Sequence, residues 1–373
     1  MKIFVTGTRG IPNIPGGVEE HCKNLYPILA NSGMKIRISR RSQYVKDTLE
    51  SWQGVELVDL YSPPTKSVEA IVHTFLSVWN AMKWKADIVH IHAVGPALLI
   101  PLARLIGLKV VFTNHGPDYD RQKWGRLAKS ALKLGEYIGC KFANEIIVIS
   151  EHIQGIVKQR TGRDSTLIFN GVAIPEIRQD TDFLSEMGLE PGKYLLAVAR
   201  LVPEKGLHDL MDAHESLGPE MKLVIAGDAD HETPYSQSLK ARASKNPNIV
   251  MPGYVTGEDL GQLYSHAKLF VLPSYHEGLP ISLLEALSYG LPAAVSDIPA
   301  NTAVNLSDDS YFAVGDTDAL AKLIYRKINE TQADSERLEI ISRVKHQYDW
   351  HIIADQTLAV YRMASSKYLA RQN

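Results

Sequence analysis

Short apolar runs alternate with longer amphipathic segments along almost the whole chain, and this alternation restricts the possible folds more than any other feature of the sequence. Each run holds four to six residues, as in Lys2–Thr6 and Tyr194–Ala199. Nearly continuous apolar runs of this length are typical of strands in a parallel sheet that is covered on both faces. The segments between them, such as Val18–Asn31 and Pro280–Ser288, have helical character. Repeated strand–helix units predict an α/β fold with parallel sheets.

The predicted strands continue to the last quarter of the chain. They are Lys2–Thr6, Lys35–Ser39, Val55–Leu60, Asp87–Ile91, Lys109–Thr113, Glu145–Ile149, Thr166–Phe169, Tyr194–Ala199, Lys222–Ala226, Asn248–Met251, Lys268–Leu272 and Pro292–Val295.

The chain is long enough for two domains. It has 373 residues, of which 45% are hydrophobic, and this is too much apolar material for one core of ordinary size. The segment Val172–Asp182 is polar, and a new strand–helix series begins at Tyr194. We therefore predict a first domain over residues 1–171 and a second over residues 172–349. The remaining segment, 350–373, is predicted to be a helix without a strand of its own, so it must pack on another part of the chain.

The two halves of the chain differ in charge. Residues 1–170 hold 22 Lys and Arg against 14 Asp and Glu, whereas residues 171–373 hold 18 against 28. A basic half indicates an anionic partner for the first domain. Two cysteines do not form a disulfide framework, and no stretch has the character of a signal peptide or a membrane span. These features predict a cytoplasmic protein.

Candidate ligand-binding residues of the first domain lie in loops after predicted strands, where open α/β sheets bind ligands. Gly16 and Gly17 precede a helix, and glycine there lets the backbone N–H groups approach an anion closely. His115 follows the strand Lys109–Thr113 and can bind a sugar hydroxyl or a developing charge at the same edge. A plain Gly-rich turn and a turn histidine bonded to local backbone are the alternatives.

Candidate residues of the second domain include two cations in one loop. Arg200 and Lys205 follow the strand Tyr194–Ala199, and together they can clamp a diphosphate, Arg200 through its forked guanidinium and Lys205 as a point charge. Surface cations are common, so an ordinary solvated loop is the alternative.

The strongest motif follows the strand Lys268–Leu272. Glu277, Gly278 and Leu279 lead into Pro280, which suits the first position of a helix whose N–H groups then bind an anion. Glu285 lies further along that helix, so one carboxylate can reach a sugar while the other reaches a ribose. Two buried carboxylates without partners would be costly, which favours a hydroxyl-rich ligand. An ordinary capped helix is the alternative.

A nicotinamide-dependent dehydrogenase is the main competing interpretation of these motifs. The opening TGxxG matches the start of a dinucleotide-binding fingerprint, but Asn13 stands where helix–strand packing requires a small residue. Tyr137 and Lys141 match the YxxxK of short-chain dehydrogenases. Arg40 and Arg41 follow the second strand in place of an acidic residue, so only an NADP enzyme would be compatible with them.

Jointly, the motifs resemble the retaining glycosyltransferases of the GT-B fold, in particular glycosyltransferase family 4 of bacterial surface-polysaccharide pathways. The Glu-x7-Glu element at Glu277 and Glu285 is the most specific mark of that family. The resemblance covers essentially the whole chain. Further elements in the order and spacing of the family are Gly16-Gly17, His115, Val148-Ile149-Ser150-Glu151, Asn170-Gly171-Val172, Arg200 with Lys205, and Ala226-Gly227-Asp228.

The resemblance implies two Rossmann-like domains whose parallel sheets face a cleft, with residues 350–373 crossing back onto the first domain. Glu285 would bind the ribose, Glu277 the hydroxyls of the transferred sugar, and His115 the sugar near its reacting carbon. Such enzymes retain the anomeric configuration and use a nucleotide diphosphate sugar as donor, without a further cofactor, so we predict no metal site. Residues implied in binding the diphosphate are Gly16, Gly17, Arg200, Lys205, Gly278 and Leu279.

The resemblance further implies a glycan or lipid-linked glycan as acceptor, and no nucleic-acid partner is predicted. Tryptophans occur among cations from Trp79 to Lys85 and from Lys123 to Lys129, through Arg126, which suits an anionic lipid surface. We therefore predict peripheral contact of the first domain with the inner face of the cell membrane; a solvated helix face is the alternative.

Two competing activities stay open, a two-Rossmann sugar-nucleotide epimerase and a non-catalytic sugar-nucleotide-binding protein.

Overall fold

The computed structural model describes residues 1–65, 68–116, 125–218, 221–229, 231–278 and 280–369, except for the side chains of residues 127 and 367–369. The chain divides into two compact units. The first contains Met1–Gly171 together with the C-terminal segment that begins at Trp350, and the second contains Val172–Asp349. Each unit is built around one sheet.

The elements of the described residues alternate between strand and helix along most of the chain. The strands are β1 Lys2–Thr6, β2 Lys35–Arg41, β3 Ser51–Trp52, β4 Val55–Leu60, β5 Ile88–His92, β6 Val110–Asn114, β7 Glu145–Val148, β8 Thr166–Leu167, β9 Tyr194–Val198, β10 Lys222–Ala226, β11 Ile249–Gly253, β12 Leu269–Leu272, β13 Ala293–Ser296 and β14 Tyr311–Phe312. The helices are α1 Gly17–Asn31, α2 Glu69–Lys83, α3 Ile100–Leu105, α4 Arg126–Phe142, α5 Glu151–Thr161, α6 Asp182–Glu186, α7 Leu207–Leu217, α8 Pro234–Ala243, α9 Gly257–His266, α10 Ile281–Ser288, α11 Pro299–Thr302, α12 Thr317–Asn329, α13 Asp334–Tyr348 and α14 Trp350–Leu369.

The sheet of the first unit has the strand order β3-β4-β2-β1-β5-β6-β7-β8. Its pairings are parallel, apart from the short antiparallel pair of β3 with β4. In register, Ile3 of β1 lies beside Ile36 of β2 on one side and Ile88 of β5 on the other. The sheet of the second unit has the order β11-β10-β9-β12-β13-β14 and is parallel throughout the described pairs.

The last helix completes the core of the first unit. Helix α14 packs against α1 and against strands β5, β6 and β7. Its residues Ile353, Val360 and Tyr361 are fully buried in the same apolar cluster as Ile3 and Ile38. The first unit therefore consists of two segments of the chain that are separated by the whole of the second unit.

The predicted α/β fold with parallel sheets is confirmed, and every one of the twelve predicted runs overlaps a strand. The two strands that sequence analysis missed, β3 and β14, hold two residues each and have no apolar run of their own. Pro280 takes the N-cap position of α10 with an extended ψ of 91°, so the helix begins one residue later than predicted. No helix within the described residues combines the length and the apolar character needed to cross a bilayer.

Candidate active site

The candidate residues gather at the point where the strand order of each sheet reverses. Strand β1 lies between β2 and β5, and β9 lies between β10 and β12. The loops after two such neighbouring strands diverge and leave a crevice at their carboxyl ends, which is where open α/β sheets bind ligands.

In the second unit, Lys205 and Glu277 form an ion pair at this edge. Lys205 ends the short 3-10 turn Pro203–Lys205 after β9, and its Nζ lies 2.5 Å from Oε1 of Glu277 in the loop after β12. The hydroxyl of Ser274 donates to the same carboxylate oxygen at 2.7 Å. The two charged side chains are only 17% and 9% exposed. Charges this poorly hydrated are costly to keep, so their place at a ligand-binding edge indicates a functional role.

The other predicted cation of this loop, Arg200, is exposed and lies just after β9. The loop after β9 contacts the loop after β12 through the backbone as well, since the N–H of Tyr275 donates to the carbonyl of Glu204 at 2.9 Å. The edge therefore presents Arg200, Lys205 and Glu277 from two adjoining loops.

Glu285 lies in the second turn of α10 and is oriented by a buried tyrosine. The hydroxyl of Tyr264 donates to Oε2 of Glu285 at 2.9 Å. Burial, and then the negative charge of Glu285, raise the pKa of Tyr264 well above its usual value, so the hydroxyl keeps its proton and remains a donor. Gly278 is half-buried in the bend before α10, and no side chain caps that helix. Leu279 lies outside the described residues.

In the first unit, a buried carboxylate organises the glycine loop after β1. Oε1 of Glu19 accepts hydrogen bonds from the hydroxyl of Thr8 at 3.1 Å and from the backbone N–H of Arg9 at 2.8 Å. Gly16 has φ +150°, and a Cβ there would lie 2.0 Å from Oε2 of Glu19, so only glycine fits. Gly17 starts α1, and a Cβ on it would meet nothing within 4 Å. Packing does not impose glycine at position 17, and the space beside this backbone is open to a ligand.

Four histidines line the same edge and the interior behind it, and we call His21, His90, His92 and His115 the histidine cluster. His90 and His92 project from one face of β5, their rings stacked with centroids 4.2 Å apart, and the ring of His115 stacks on His92 at 5.1 Å. The ring of His21, on α1, meets that of His115 edge-on at 5.0 Å. His115 is therefore bonded within a cluster of side chains and is not a turn residue satisfied by its local backbone.

Burial keeps the histidine cluster uncharged. It lowers the pKa of His21 to about 4 and that of His90 to about 3. It lowers the pKa of His92 and of His115 well below the usual value, and repulsion from neighbouring imidazoles adds to the effect. At neutral pH each ring therefore carries a single proton.

The arginines that favoured an NADP enzyme are engaged elsewhere. Arg40 is almost completely buried, with Nη1 2.7 Å from Asp47 and Nε 2.6 Å from Asp59. Arg41 lies 3.0 Å from Glu69. Both guanidinium groups are neutralised by carboxylates of the first unit, which removes the basis for a 2′-phosphate site.

Sequence comparison assigns both units to sugar-transferring enzymes. The profile described as "Glycosyltransferase Family 4" matches residues 15–174, and the profile described as "Glycosyl transferases group 1" matches residues 182–346. The chain belongs to glycosyltransferase family 4. The membership of family 4 that the motifs indicated is thereby confirmed.

Known proteins similar to this family 4 glycosyltransferase include two bacterial enzymes. The putative teichuronic acid biosynthesis glycosyltransferase TuaC of Bacillus subtilis is 24% identical over 281 residues, which cover 70% of this chain and 69% of TuaC. The UDP-Gal:alpha-D-GlcNAc-diphosphoundecaprenol alpha-1,3-galactosyltransferase of Escherichia coli is 27% identical over 271 residues, 68% of this chain and 69% of that enzyme. Sucrose-phosphate synthase from Thermosynechococcus elongatus superposes with a TM-score of 0.85 at 19% identity, over 98% of this chain and 99% of that structure. This likeness shows the GT-B fold.

The structure also places side chains at the candidate site that sequence reasoning missed. Ser274 and Tyr264 orient the two glutamates, and Glu19 shapes the loop before α1. His92 contacts His115 from the end of β5. The pattern His-x-His within an otherwise apolar strand was the available signal, because alternate residues of a strand point to one face.

Proposed function

We propose that this enzyme transfers a hexosyl group, with retention of anomeric configuration, from a nucleotide diphosphate sugar to a glycan or lipid-linked glycan acceptor in cell-surface polysaccharide biosynthesis. The observation that supports this most directly is the poorly hydrated pair of Lys205 and Glu277 at the strand-order reversal of the second sheet. A cation beside a carboxylate there offers one group to a diphosphate and one to sugar hydroxyls.

The donor diphosphate is bound by cations and backbone amides in this proposal. Lys205 leaves Glu277 for the phosphates, Arg200 adds a forked donor, and the amides around Gly278 complete the anion site at the start of α10. Glu277 then accepts hydrogen bonds from the sugar. Glu285, held by Tyr264, accepts them from the ribose. Since side chains and amides supply the positive charge, we propose that neither a metal ion nor a further cofactor is needed.

The first unit contributes the backbone of Gly16 and Gly17 to the diphosphate and His115 to the donor sugar. Retention follows if the acceptor attacks on the face that the leaving diphosphate occupies, and the diphosphate takes the proton of the acceptor hydroxyl. The reacting sugar then needs hydrogen-bond donors more than it needs a protein base.

The names of the relatives support the substrate class. One names teichuronic acid, a polysaccharide, and the other names UDP-Gal as donor and a diphosphoundecaprenol-linked GlcNAc as acceptor. We therefore propose UDP-hexoses and undecaprenyl-diphosphate-linked sugars as the first donor and acceptor to test.

A panel of nucleotide sugars tests the donor site by thermal shift, because a ligand that binds the native state raises its apparent stability. Loss of a charge-assisted phosphate contact in Lys205→Met costs about 1.5–3 kcal/mol, so donor affinity falls about tenfold to a hundredfold. The matched control is Lys193→Met, because Lys193 pairs with Glu190 on the surface of the same unit at 2.6 Å. Equal donor affinity in the two variants would contradict the diphosphate site.

Product analysis tests the reaction. We expect a new glycosidic bond with the anomeric configuration of the donor, detected by mass spectrometry and NMR. An epimerised donor formed without acceptor would identify a sugar-nucleotide epimerase instead. Donor binding without any turnover across a panel of lipid-linked acceptors would favour a non-catalytic binding protein.

We also propose that the first unit binds the surface of an anionic membrane, where a lipid-linked acceptor would be found. Helix α2 exposes apolar side chains where an ordinary surface helix exposes polar ones. Its solvent-facing line holds Ile71, Phe75 and Trp79, which are 38%, 49% and 50% exposed, and then Lys83, whereas its buried face mixes polar and apolar residues. Apolar side chains that follow one line of an exposed helix suit insertion among lipid headgroups.

Helix α4 lies on the same side of the sheet, because the 3-10 turn Pro96–Leu99 contacts both α2 and α4. It exposes Leu134 and Tyr137, and the cation Arg126 is exposed at its first position. Lys123, which the sequence suggested for the same role, lies outside the described residues. Cations beside exposed apolar groups provide attraction to anionic lipids in addition to apolar contact.

Co-sedimentation with phosphatidylglycerol vesicles tests this surface. Phe75→Ser combined with Trp79→Ser, and Arg126→Glu combined with Lys129→Glu, should each lower the bound fraction. The control is Tyr325→Ser combined with Leu338→Ser, since these side chains are exposed on the second unit. Binding that ignores both first-unit variants would refute membrane contact through this surface.

A further inference from the structure

The histidine cluster is the end of a chain of hydrogen bonds that runs from His115 into the core of the first unit. Nε2 of His115 lies 2.8 Å from Nδ1 of His92. Nε2 of His92 lies 2.6 Å from the hydroxyl of Tyr26 on α1. Nδ1 of His90 lies 2.9 Å from the same hydroxyl and 2.6 Å from the hydroxyl of Tyr361 on α14. The chain therefore joins β5, α1 and the C-terminal helix to the loop after β6.

The contact lengths at the inner end of the chain indicate where the protons lie. Each ring is neutral and carries one proton, a tyrosine hydroxyl donates one hydrogen bond, and one ring lone pair accepts one. The contacts of Tyr361 to Nδ1 of His90 and of Tyr26 to Nε2 of His92 are both 2.6 Å, a length typical of an O–H donor and short for an N–H donor, so each hydroxyl donates to its ring. His90 then keeps its proton on Nε2, which lies 2.7 Å from the hydroxyl of Thr113.

The outer end follows by the same count. With Tyr26 donating to Nε2 of His92, the proton of His92 is on Nδ1 and is donated to Nε2 of His115. The proton of His115 must then be on its other nitrogen, Nδ1. The reverse direction would require Tyr26 to donate to the neighbouring hydroxyl of Tyr361, and Nε2–H of His92 to donate to Tyr26 across only 2.6 Å, which is short for an N–H donor.

From this geometry we infer that Tyr26, His92 and Tyr361 are positioning residues that hold His115 in its Nδ1–H tautomer, as a hydrogen-bond donor at the carboxyl edge of the first sheet. The consequence for catalysis rests on the proposed function. His115 donates a hydrogen bond to the donor sugar and does not act as a base toward the acceptor. The ring orientation is fixed from inside the unit, with Tyr361 of the C-terminal helix as the innermost hydroxyl.

A metal site is the competing interpretation of these imidazoles, because ring nitrogens of His21, His92 and His115 lie within 4.8 Å of one another. The contacts favour the proton chain. Both nitrogens of His92 already lie at hydrogen-bond distance from partners. The 2.8 Å between Nδ1 of His92 and Nε2 of His115 is the length of a hydrogen bond. Two imidazole nitrogens on one tetrahedral ion would lie about 3.3 Å apart.

Long-range ¹H–¹⁵N correlation spectra of protein labelled at histidine report which ring nitrogen is protonated, without any need for activity. The signals of His115 are assigned by their loss in His115→Asn. We expect a protonated Nδ1 and an unprotonated Nε2 at pH 7. A protonated Nε2, averaged signals of two tautomers, or a stoichiometric transition metal in the purified protein would each overturn the inference.

Removing a tyrosine hydroxyl from the chain of hydrogen bonds should allow His115 to adopt both tautomers. In Tyr26→Phe, His92 loses its donor, so His115 is expected to show both tautomers. If Tyr26→Phe does not fold, Tyr361→Phe gives a second test, because Tyr26 can then turn to His90 and the proton of His115 shifts toward Nε2. The control is Tyr194→Phe, which removes a buried hydroxyl that donates to the carbonyl of Leu263 in the second unit. If His115 shows a single tautomer in the folded tyrosine variants, as it should in the control, the role of these tyrosines is refuted.

Kinetics separate this inference from the proposed function. If both hold, Tyr26→Phe lowers kcat about tenfold or more while donor affinity stays constant, since a misplaced ring proton weakens only catalysis. If the spectra show the expected tautomer but His115→Asn turns over like the wild type, the catalytic role of His115 falls and the proton chain stands.

Discussion

Glu277 and Glu285 have different partners, and their substitution should have different effects. Glu285→Ala removes the proposed ribose acceptor, so the Kd for the nucleotide rises about tenfold, whereas Glu285→Gln keeps an acceptor for Tyr264 and loses less. Glu277→Ala frees Lys205 for the phosphates, so the Kd changes little, but kcat falls about a hundredfold or more through loss of contacts to the reacting sugar. Calorimetry and initial rates measure the two effects. Wild-type turnover in Glu277→Ala would remove this carboxylate from the mechanism.

Gly7 sets how closely the loop after β1 approaches the end of β5. Its φ is +95°, and a Cβ there would lie 2.0 Å from the carbonyl oxygen of His92. Gly7→Ala must move the strand end that carries His92, so we expect a loss of unfolding free energy of about 2 kcal/mol or more. Gly107→Ala is a matched control, because Gly107 has φ +86° and open space around it. Denaturant titrations that give equal losses would show that backbone conformation alone, and not contact with β5, requires Gly7.

The placement of candidate residues was predictable from the sequence where they lie in a loop that follows a strand. His115, Arg200, Lys205 and Glu277 lie at such positions, and an α/β fold brings strand ends to one edge. The partners of these residues were not predictable in the same way. Tyr361, for example, reaches His90 across 271 positions of the chain. Contacts of this kind are set by tertiary packing, about which local pattern carries no information.

At the scale of elements, the apolar runs specified the strands because a strand in a parallel sheet that is covered on both faces must be apolar on both sides. The same rule explains the failures. Strand β3 consists only of Ser51 and Trp52 and pairs with β4 at the edge of the sheet. It is partly exposed, so it needs no apolar run. The sequence also indicated that the last helix needs a surface to pack on, and the structure supplies it between α1 and the central strands.

Helix α14 offers a sharp test of how far the first unit depends on it. Ile353 is fully buried in the core of that unit, whereas the preceding residue, Ile352, is 36% exposed. Ile353→Ala should therefore destabilise the unit by about 2–5 kcal/mol, through lost burial and the remaining cavity, while Ile352→Ala costs about 0.5 kcal/mol or less. Denaturant unfolding followed by tryptophan fluorescence measures both. Similar small losses in the two variants would show that α14 is dispensable for the stability of the unit.

At the scale of the whole molecule, the distribution of tryptophans allows the unfolding of the first unit to be followed separately. All five tryptophans, Trp52, Trp79, Trp84, Trp124 and Trp350, belong to the segments of the first unit, and Val172–Asp349 has none. Tryptophan fluorescence therefore follows the first unit alone, even if the two units unfold in separate steps. The second unit can be followed by the circular dichroism change that remains.

The stability of the first unit should fall as the pH is lowered from about 6.5 toward 4. Burial lowers the folded-state pKa of His21 to about 4 and that of His90 to about 3; burial and the nearby Arg41 lower that of His73 to about 3. Unfolded histidines bind protons with a pKa of about 6.5, so in this window the unfolded state binds more protons and each such group costs about 1.4 kcal/mol per pH unit. Above pH 7 both states are unprotonated at these sites, and the contribution is constant. His73→Leu should reduce the pH slope by the share of one buried histidine. Urea titrations read by tryptophan fluorescence at pH 7.5, 6 and 5 measure the slope, and a midpoint that does not move with pH would contradict the neutral state of the buried histidines.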